Sequence, residues 1–367
     1  MKTLQEILGA ENLIGLINSK IGGVPDDMIP DAFMRPTRNF SGDIATWLQA
    51  DTTRKVARQV HYGSPSKKVN DIPGISERTS KAIHSFENID HEMSVLMNLK
   101  STDGNGARQR LGMQEIARQT TEFKRRGTNL RTAAVTSALA NAKINFDSAG
   151  NLLSPTASGA LTVDFGTPAG NRDQLNVDGS GDIIDVAWSI VGTPIHTQIA
   201  QLRKAARHLT GYPIRHAFYG ENIPDFLFNN TVLKEFINRS ERLRDAASEG
   251  EIASPFLRLQ WHAMNESFFE DKDGNIVEMF GVDTVVFTPE PSPDWWEMQQ
   301  GSFPVPNDLG AVSSDALAAV ANVTEAFGMF SYAKIKTDPT TIEQFAGDTF
   351  LPMIKVPKAI FIADVTP

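Results

Sequence analysis

Seven histidines are the residues of this chain best suited to acid–base or metal chemistry: His61, His84, His91, His196, His208, His216 and His262. A zinc hydrolase would place two of them four apart on one helix face, as His-Glu-x-x-His. His91-Glu92 opens that pattern, but Val95 stands where the second His belongs. His196 and His208 lie twelve apart, too far to share an ion on one helix. Asp271-x-Asp273-Gly274-Asn275 begins like a calcium loop, yet its Gly comes early and no Glu closes it in register, so it reads as a hairpin turn. Gly179-Ser180-Gly181 has no Lys-Ser/Thr after it and is not a phosphate loop. No Gly-x-Ser-x-Gly elbow occurs. With no cysteine in the chain, disulfides, thiolate catalysis and Cys-ligated metals are excluded. Carboxylate pairs are plentiful, and none has a spacing that singles it out. No catalytic, cofactor-binding or metal-binding residue is nominated. An enzyme with a site assembled only in space remains an alternative without positive support.

A chain of 367 residues can bury a large core and is expected to form two or three lobes. Its 41% hydrophobic and 22% charged content is that of an ordinary globular protein. No apolar run approaches the roughly 20 residues that cross a bilayer, so no membrane partner is expected. Met1 to Ser19 carries Glu6 and Glu11 and lacks a basic start followed by a long apolar core, so no secretory signal is expected. The net charge of −9 is unevenly spread. Residues 1–143 hold 20 Lys/Arg against 15 Asp/Glu, and residues 144–367 hold 15 against 29. Three readings of that imbalance stand: a solubility effect, the basic half of one subunit lying on the acidic half of the next, or a basic nucleic-acid-binding half. The basic residues are mixed with acids and lack interleaved aromatics, which counts against the third.

Several elements follow from periodicity and punctuation. A short helix is expected over Leu4 to Ile17, then an irregular arm broken by Pro25, Pro30 and Pro36. Residues 52–90 read as an extended hairpin with a thin apolar face of Val56, Val60 and Val69, turning at Ile72-Pro73-Gly74. Such a ribbon buries too little to stand alone. It is rich in Arg54, Lys55, Arg58, Lys67, Lys68, Arg78 and Lys81. Ala107 to Ala142 is the longest helix candidate, with a seam of Met113, Ile116, Phe123, Leu130 and Ala134, the small Thr120 and Gly127 between them, and Asp103 or Asn105 as cap. Gly127 predicts a bend or a close packing contact. Strands are expected at Ile144–Phe146 and Leu161–Phe165, separated by a turn at residues 147–151. A helix from Ile195 to Leu209 should end at Gly211, followed by a strand over Ile214–Tyr219, a helix opened by Pro224 and another capped by Thr231. Trp295 and Trp296 sit in a Pro- and Gln-rich stretch and read as an interface or loop anchor. A short helix is expected over Ala316 to Ala321, then strands to the end.

The most specific stretch is a meander from Phe256 to Phe287. Leu257, Leu259, Trp261 and Ala263 alternate, Asp273-Gly274 supplies a tight turn, and Thr284 to Phe287 is a β-branched and aromatic run. Asn265-Glu266-Ser267-Phe268-Phe269, Asp273-Gly274 and Val282 to Phe287 resemble the matching strands of the major capsid proteins of lambda-like tailed phages. Phe280-Gly281-Val282-Asp283 stands where that family often has a Pro. The helix–strand–helix unit of residues 183–240 is similar to the family's axial domain, and Pro357 and Asp364 fit its closing strand.

The resemblance implies an α+β fold, the Hong Kong 97 type phage capsid fold, with an N-terminal arm (1–51), an extended β-hairpin loop (52–90), a peripheral domain with a long spine helix (91–182 and 332–367) and an axial domain (183–331). It implies a structural protein that assembles with itself into hexamers and pentamers of an icosahedral head around double-stranded DNA, held non-specifically. Portal, scaffold and decoration proteins would be further partners, the host cytoplasm the place of assembly and the virion the final location. No cofactor is expected. Arg54, Lys55, Arg58, Lys67, Lys68, Arg78, Lys81, Trp295 and Trp296 are the candidate intersubunit contacts. No isopeptide cross-link is expected, since no acidic catalyst is placed to pair with Lys67 or Lys68. A nanocompartment shell of the same fold and a soluble α/β enzyme are the alternatives.

Overall fold

The computed structural model describes residues 10–17, 29–42, 44–50, 75–91, 107–177, 179, 181–264, 268–270, 274–306, 323–337 and 340–366. The chain begins with α1 (Ala10–Ile17), α2 (Asp31–Met34), β1 (Pro36–Phe40), β2 (Ile44–Ala50), β3 (Ile75–Lys81) and β4 (Ile83–His91). The long helix α3 (Ala107–Asn141) leads to β5 (Lys143–Phe146), β6 (Leu161–Asp164) and β7 (Arg172–Asp173). Next come α4 (Ile195–Thr210), β8 (Ile214–Tyr219), α5 (Ile223–Asn229), α6 (Thr231–Asn238) and α7 (Glu241–Ser248). The strands β9 (Gln260–Ala263), β10 (Phe268–Glu270), β11 (Ile276–Glu278), β12 (Thr284–Pro289) and β13 (Trp296–Pro306) follow. The chain closes with β14 (Val323–Phe327), β15 (Phe330–Thr337), β16 (Thr340–Ile354) and β17 (Phe361–Asp364).

The first sheet is organised by β16, which pairs antiparallel with three strands. It meets β4 from Ile342↔His91 to Phe350↔Ile83, β15 from Gly347↔Phe330 to Thr340↔Thr337, and β13 from Ile354↔Trp296 to Phe350↔Gln300. β1 adds in parallel to β13. The helix α3 crosses one face. Gln344 and Asp348, four apart on a strand and therefore on that same face, hold it. Gln344 Nε2 donates to Thr120 Oγ1 at 2.9 Å. Arg131 forms a two-pronged pair with Asp348, with Nη2 at 2.7 Å from Oδ1. The last third of α3 is small and apolar, and Ala134, Val135, Ala138 and Leu139 are fully buried. Gly127 does make a close contact: a Cβ there would lie 3.2 Å from Met329 Cε. On the other face of the sheet, Phe86, Phe330, Tyr332 and Phe345 stack on one another, and Phe303 stacks on Phe330 with ring centroids 4.2 Å apart. Gly347 leaves room for that stack, since a Cβ there would meet Phe330 Cζ at 2.6 Å.

The second sheet has the order β7-β17-β12-β8-β9. Ile195, Ile199, Leu202 and Ala206 of α4 pack against it, with Leu227 of α5 and Leu233 and Ile237 of α6. Gly211 ends α4 with φ +84°, and its N–H donates to Arg207 O. Because β12 is apolar at successive positions, it feeds two cores. Val285 and Phe287 point into the second, while Val286 joins the first with Phe218.

Several expectations shift. The first arm of the hairpin is β2, assigned from the sequence to the N-terminal arm; it pairs with β3 from Ile44↔Lys81 to Ala50↔Ile75. Residues 83–91, expected in the hairpin, are bound into the first sheet by β16. β13 and β14 belong to the first sheet, so the axial region 183–331 is cut near Pro289. The closing strand β17 lies in the second sheet beside β12 rather than returning to the peripheral part. Asn230, not Thr231, caps α6: its Oδ1 accepts from the N–H of Val232 and Leu233. Leu257 lies outside β9, in a turn. Leu4 to Gly9, Val56, Val60, Val69, Ile72-Pro73-Gly74, Asp103, Asn105, Asn265 to Ser267, Asp273 and Ala316 to Ala321 lie outside the described residues.

Candidate intersubunit surface

The β2–β3 ribbon separates its side chains by face. On one, Ala45 and Trp47 turn inward and are buried, with Trp47 packed 6.2 Å from the Phe165 ring. On the other, Ile44, Thr46 and Leu48 face outward beside Lys81, Thr79 and Glu77. Ile44 is 52% and Leu48 60% exposed. Two large aliphatic side chains on the outer face of a two-stranded ribbon form an apolar stripe that one subunit leaves wet.

Of the candidate contact residues, Arg54, Lys55, Arg58, Lys67 and Lys68 lie outside the described residues. Lys81 shares the outward face with Ile44 and Leu48. Arg78 lies opposite Trp47, and its Nε donates to Gln49 Oε1 at 3.1 Å within the ribbon. Trp295 and Trp296 are corrected. They are 0% and 2% exposed inside one subunit, so neither ring is presented to a neighbour. Trp295 Nε1 donates to Glu290 O and Trp296 Nε1 to Phe33 O. The Pro-rich sequence around them suggested a surface loop, but β13 begins at Trp296 and pairs with the buried end of β16.

What the tryptophans hold is Phe33, from α2. Its ring stands edge-on to His216, Phe218, Trp295 and Trp296, with centroids 5.5 to 6.1 Å away. Phe33 is fully buried between residues of the two sheets. The sequence offers one cue to it, a short apolar-bearing segment between Pro30 and Pro36.

Beside Phe33 lies an acid–base chain built by two of the described histidines. His216 Nε2 is 3.0 Å from Glu290 Oε2, and His216 Nδ1 is 2.9 Å from His262 Nε2. The carboxylate can only accept, so Nε2–H of His216 donates to it; Nδ1 then accepts from Nε2–H of His262. Burial pushes His216 below the usual histidine range, opposed by Glu290. Burial and the neighbouring His216 lower His262 to about 4. The two residues are 46 apart in sequence, on adjacent strands, so no spacing rule could join them. Among the described residues no three His, Asp or Glu gather as a metal-binding set, and no nucleophile is hydrogen-bonded to either imidazole.

A crystal structure described as a prophage capsid protein of Escherichia coli CFT073 is similar to this chain with a TM-score of 0.53, at 14% identity, over 98% of this chain and 99% of its own. A phage-related protein of Bordetella bronchiseptica RB50 matches with a TM-score of 0.50, at 9% identity, over 97% of each chain. The chain has the Hong Kong 97 type capsid fold. No family model and no curated protein matches the sequence.

At 14% identity few residues are shared, and the likeness is one of fold. In this chain a cleft of about 600 Å³ separates α3 from β4, β5 and β6. Phe123, Leu130, Phe146, Val163 and Met329 line it, with the 3.0 Å Arg126–Glu87 ion pair among its polar groups.

Proposed function

We propose that this chain is the major shell subunit of a phage head, assembling with copies of itself into hexamers and pentamers around double-stranded DNA. The observation that carries this reading is likeness to a prophage capsid protein over 98% of the chain. The ribbon supports it. A shell subunit needs surfaces that are apolar yet exposed in a single copy, and the outward Ile44 and Leu48 provide one. A surface of this kind meets a different patch on the next copy, and repeated head-to-tail contacts close a ring. The excess of 20 Lys/Arg over 15 Asp/Glu in residues 1–143, against 15 and 29 beyond, favours basic ribbon on acidic neighbour and sets the orientation of docking. Lys81 and Arg78, with Arg54, Lys55, Arg58, Lys67 and Lys68, are the cations of that contact; Trp295 and Trp296 are not part of it. DNA would be held through its phosphates without sequence readout. The chain acts mechanically, and its reading as a non-enzyme rests on the same likeness. Portal, scaffold and decoration proteins complete the expected assembly in the host cytoplasm, and the finished location is the virion.

Negative-stain electron microscopy beside size-exclusion chromatography tests the reading. Shells, tubes or rings of five or six support it. A monomer or dimer that persists across salt and protein concentration overturns it. Shells that carry protein cargo and no DNA would indicate a nanocompartment instead.

A further inference from the structure

We propose that Arg203, Arg215 and Arg258 form a binding site for a phosphate group. Three elements supply them. Arg203 is on α4, which packs on the second sheet; Arg215 is on β8; Arg258 lies in the turn that leads into β9. Because β9 runs parallel beside β8 with Gln260 opposite His216, Arg258 falls at the end of β9 nearest Arg215. Arg215 and Arg258 both act on the guanidinium of Arg203, which burial and these two like charges hold below the usual arginine value. No carboxylate acts on it. Among the described residues none of the three makes an ion pair or side-chain hydrogen bond.

The turn that presents Arg258 is built against local preference. Phe256 and Leu259 exchange both backbone hydrogen bonds at 3.0 Å, leaving a two-residue loop of Leu257 and Arg258. Their φ angles are +52° and +62°. Positions like these ordinarily carry Asn-Gly, because left-handed backbone is unfavourable for larger side chains. Buried Phe256 and Leu259 hold the turn in place. Strained positions of this kind gather at binding sites.

The ligand class follows from the donors. One guanidinium fork satisfies one carboxylate, so three forks without an acid call for several acceptor oxygens on a compact anion. A phosphate group has that form, either as a free anion or as a phosphodiester of nucleic acid. The cluster is not a by-product of basic composition, since residues 144–367 hold 15 Lys/Arg against 29 Asp/Glu. It belongs to one subunit and stands without the shell reading.

The test uses the purified full chain with pyrophosphate by calorimetry and a short labelled DNA duplex by anisotropy, at low and moderate salt. Arg258→Asn suits the left-handed turn and removes the charge; Arg215→Gln removes a second one from an exposed position. Saturable binding that weakens about tenfold in each variant, with the salt slope for the duplex falling by about 1, supports the site. Binding of both probes indicates a free phosphate anion, and binding of the duplex alone indicates a nucleic-acid backbone. The proposal is overturned if neither probe binds, if both variants bind as tightly as the parent, or if polyglutamate competes as well as the phosphate probes. Circular dichroism of the variants keeps a folding defect distinct from a lost site.

Discussion

The indole Nε1–H of Trp296 donates to the backbone carbonyl of Phe33 at 3.0 Å, joining residues 263 positions apart. Trp296 belongs to the first sheet, and the Phe33 ring it helps to fix also touches His216 and Phe218 of the second. The arm segment α2 is therefore a wedge that both sheets grip. Phe33→Ala should remove about 3–5 kcal/mol of stability, because four aromatic neighbours cannot collapse together into the space left behind. Urea denaturation followed by tryptophan fluorescence would read this directly, and an unchanged midpoint would mean the wedge carries no load.

The histidine pair makes stability depend on pH. His262 has a native value of about 4 against 6.5 when unperturbed. Between those values the unfolded chain binds a proton that the native chain refuses, so stability is complete above pH 6.5 and falls as pH drops towards 4. His216, lowered by burial, adds with the same sign. The loss attributable to His262 is on the order of 2 kcal/mol after allowing for its partial exposure. Denaturation midpoints at about pH 7, 6 and 5 should decline in the parent and much less in His262→Gln; parallel curves for the two would refute the assignment.

Arg131 and Asp348 pin α3 to β16. Burial raises the Asp348 carboxyl, and Arg131 opposes that shift. The carboxylate is 1% exposed, and removing its partner leaves a buried charge alone. Arg131→Met should cost about 3–5 kcal/mol, while the double change Arg131→Met with Asp348→Leu should recover most of it. A double variant no better than the single one would show that the cost lies in lost packing of Arg131 over the Phe350 ring, 5.4 Å away.

On the ribbon, folding and assembly should come apart. Leu48→Glu changes a side chain 60% exposed in one subunit, so its unfolding midpoint should match the parent within about 0.5 kcal/mol. Assembly should fail, because a charge is placed at an apolar contact. Particles of normal yield from Leu48→Glu, seen by electron microscopy, would remove β2 from the intersubunit surface.

Local signals carried much of the fold. The α4–Gly211–β8 order follows from helical spacing, a glycine cap and a compact apolar strand, and each lies where these patterns put it. The long helix was also legible, down to the close contact at Gly127. What stayed hidden depends on pairing across long separations. Trp295 and Trp296 look exposed because their neighbours in sequence are Pro, Asp and Gln, yet their neighbours in space are Phe33 and β16. The pairing of β2 with β3 was missed because Ile44, Thr46 and Leu48 alternate inside a stretch dominated by prolines upstream. The histidine chain and the arginine cluster each draw on adjacent strands or on a helix packed over them, and no linear motif records that.

The burial of α3 is lopsided along its length. Near its C-terminal end Ala134, Val135, Ala138 and Leu139 are sealed in the core, while near the start Leu111 is 59% and Met113 38% exposed. A helix of 35 residues is about 52 Å long. The helix is fixed to the sheet at two levels, by Asp348 at Arg131 and by Gln344 at Thr120, and Ile116 is already buried. Only its first turns therefore stand off the body like a handle, open to whatever lies alongside while the remainder stays in place.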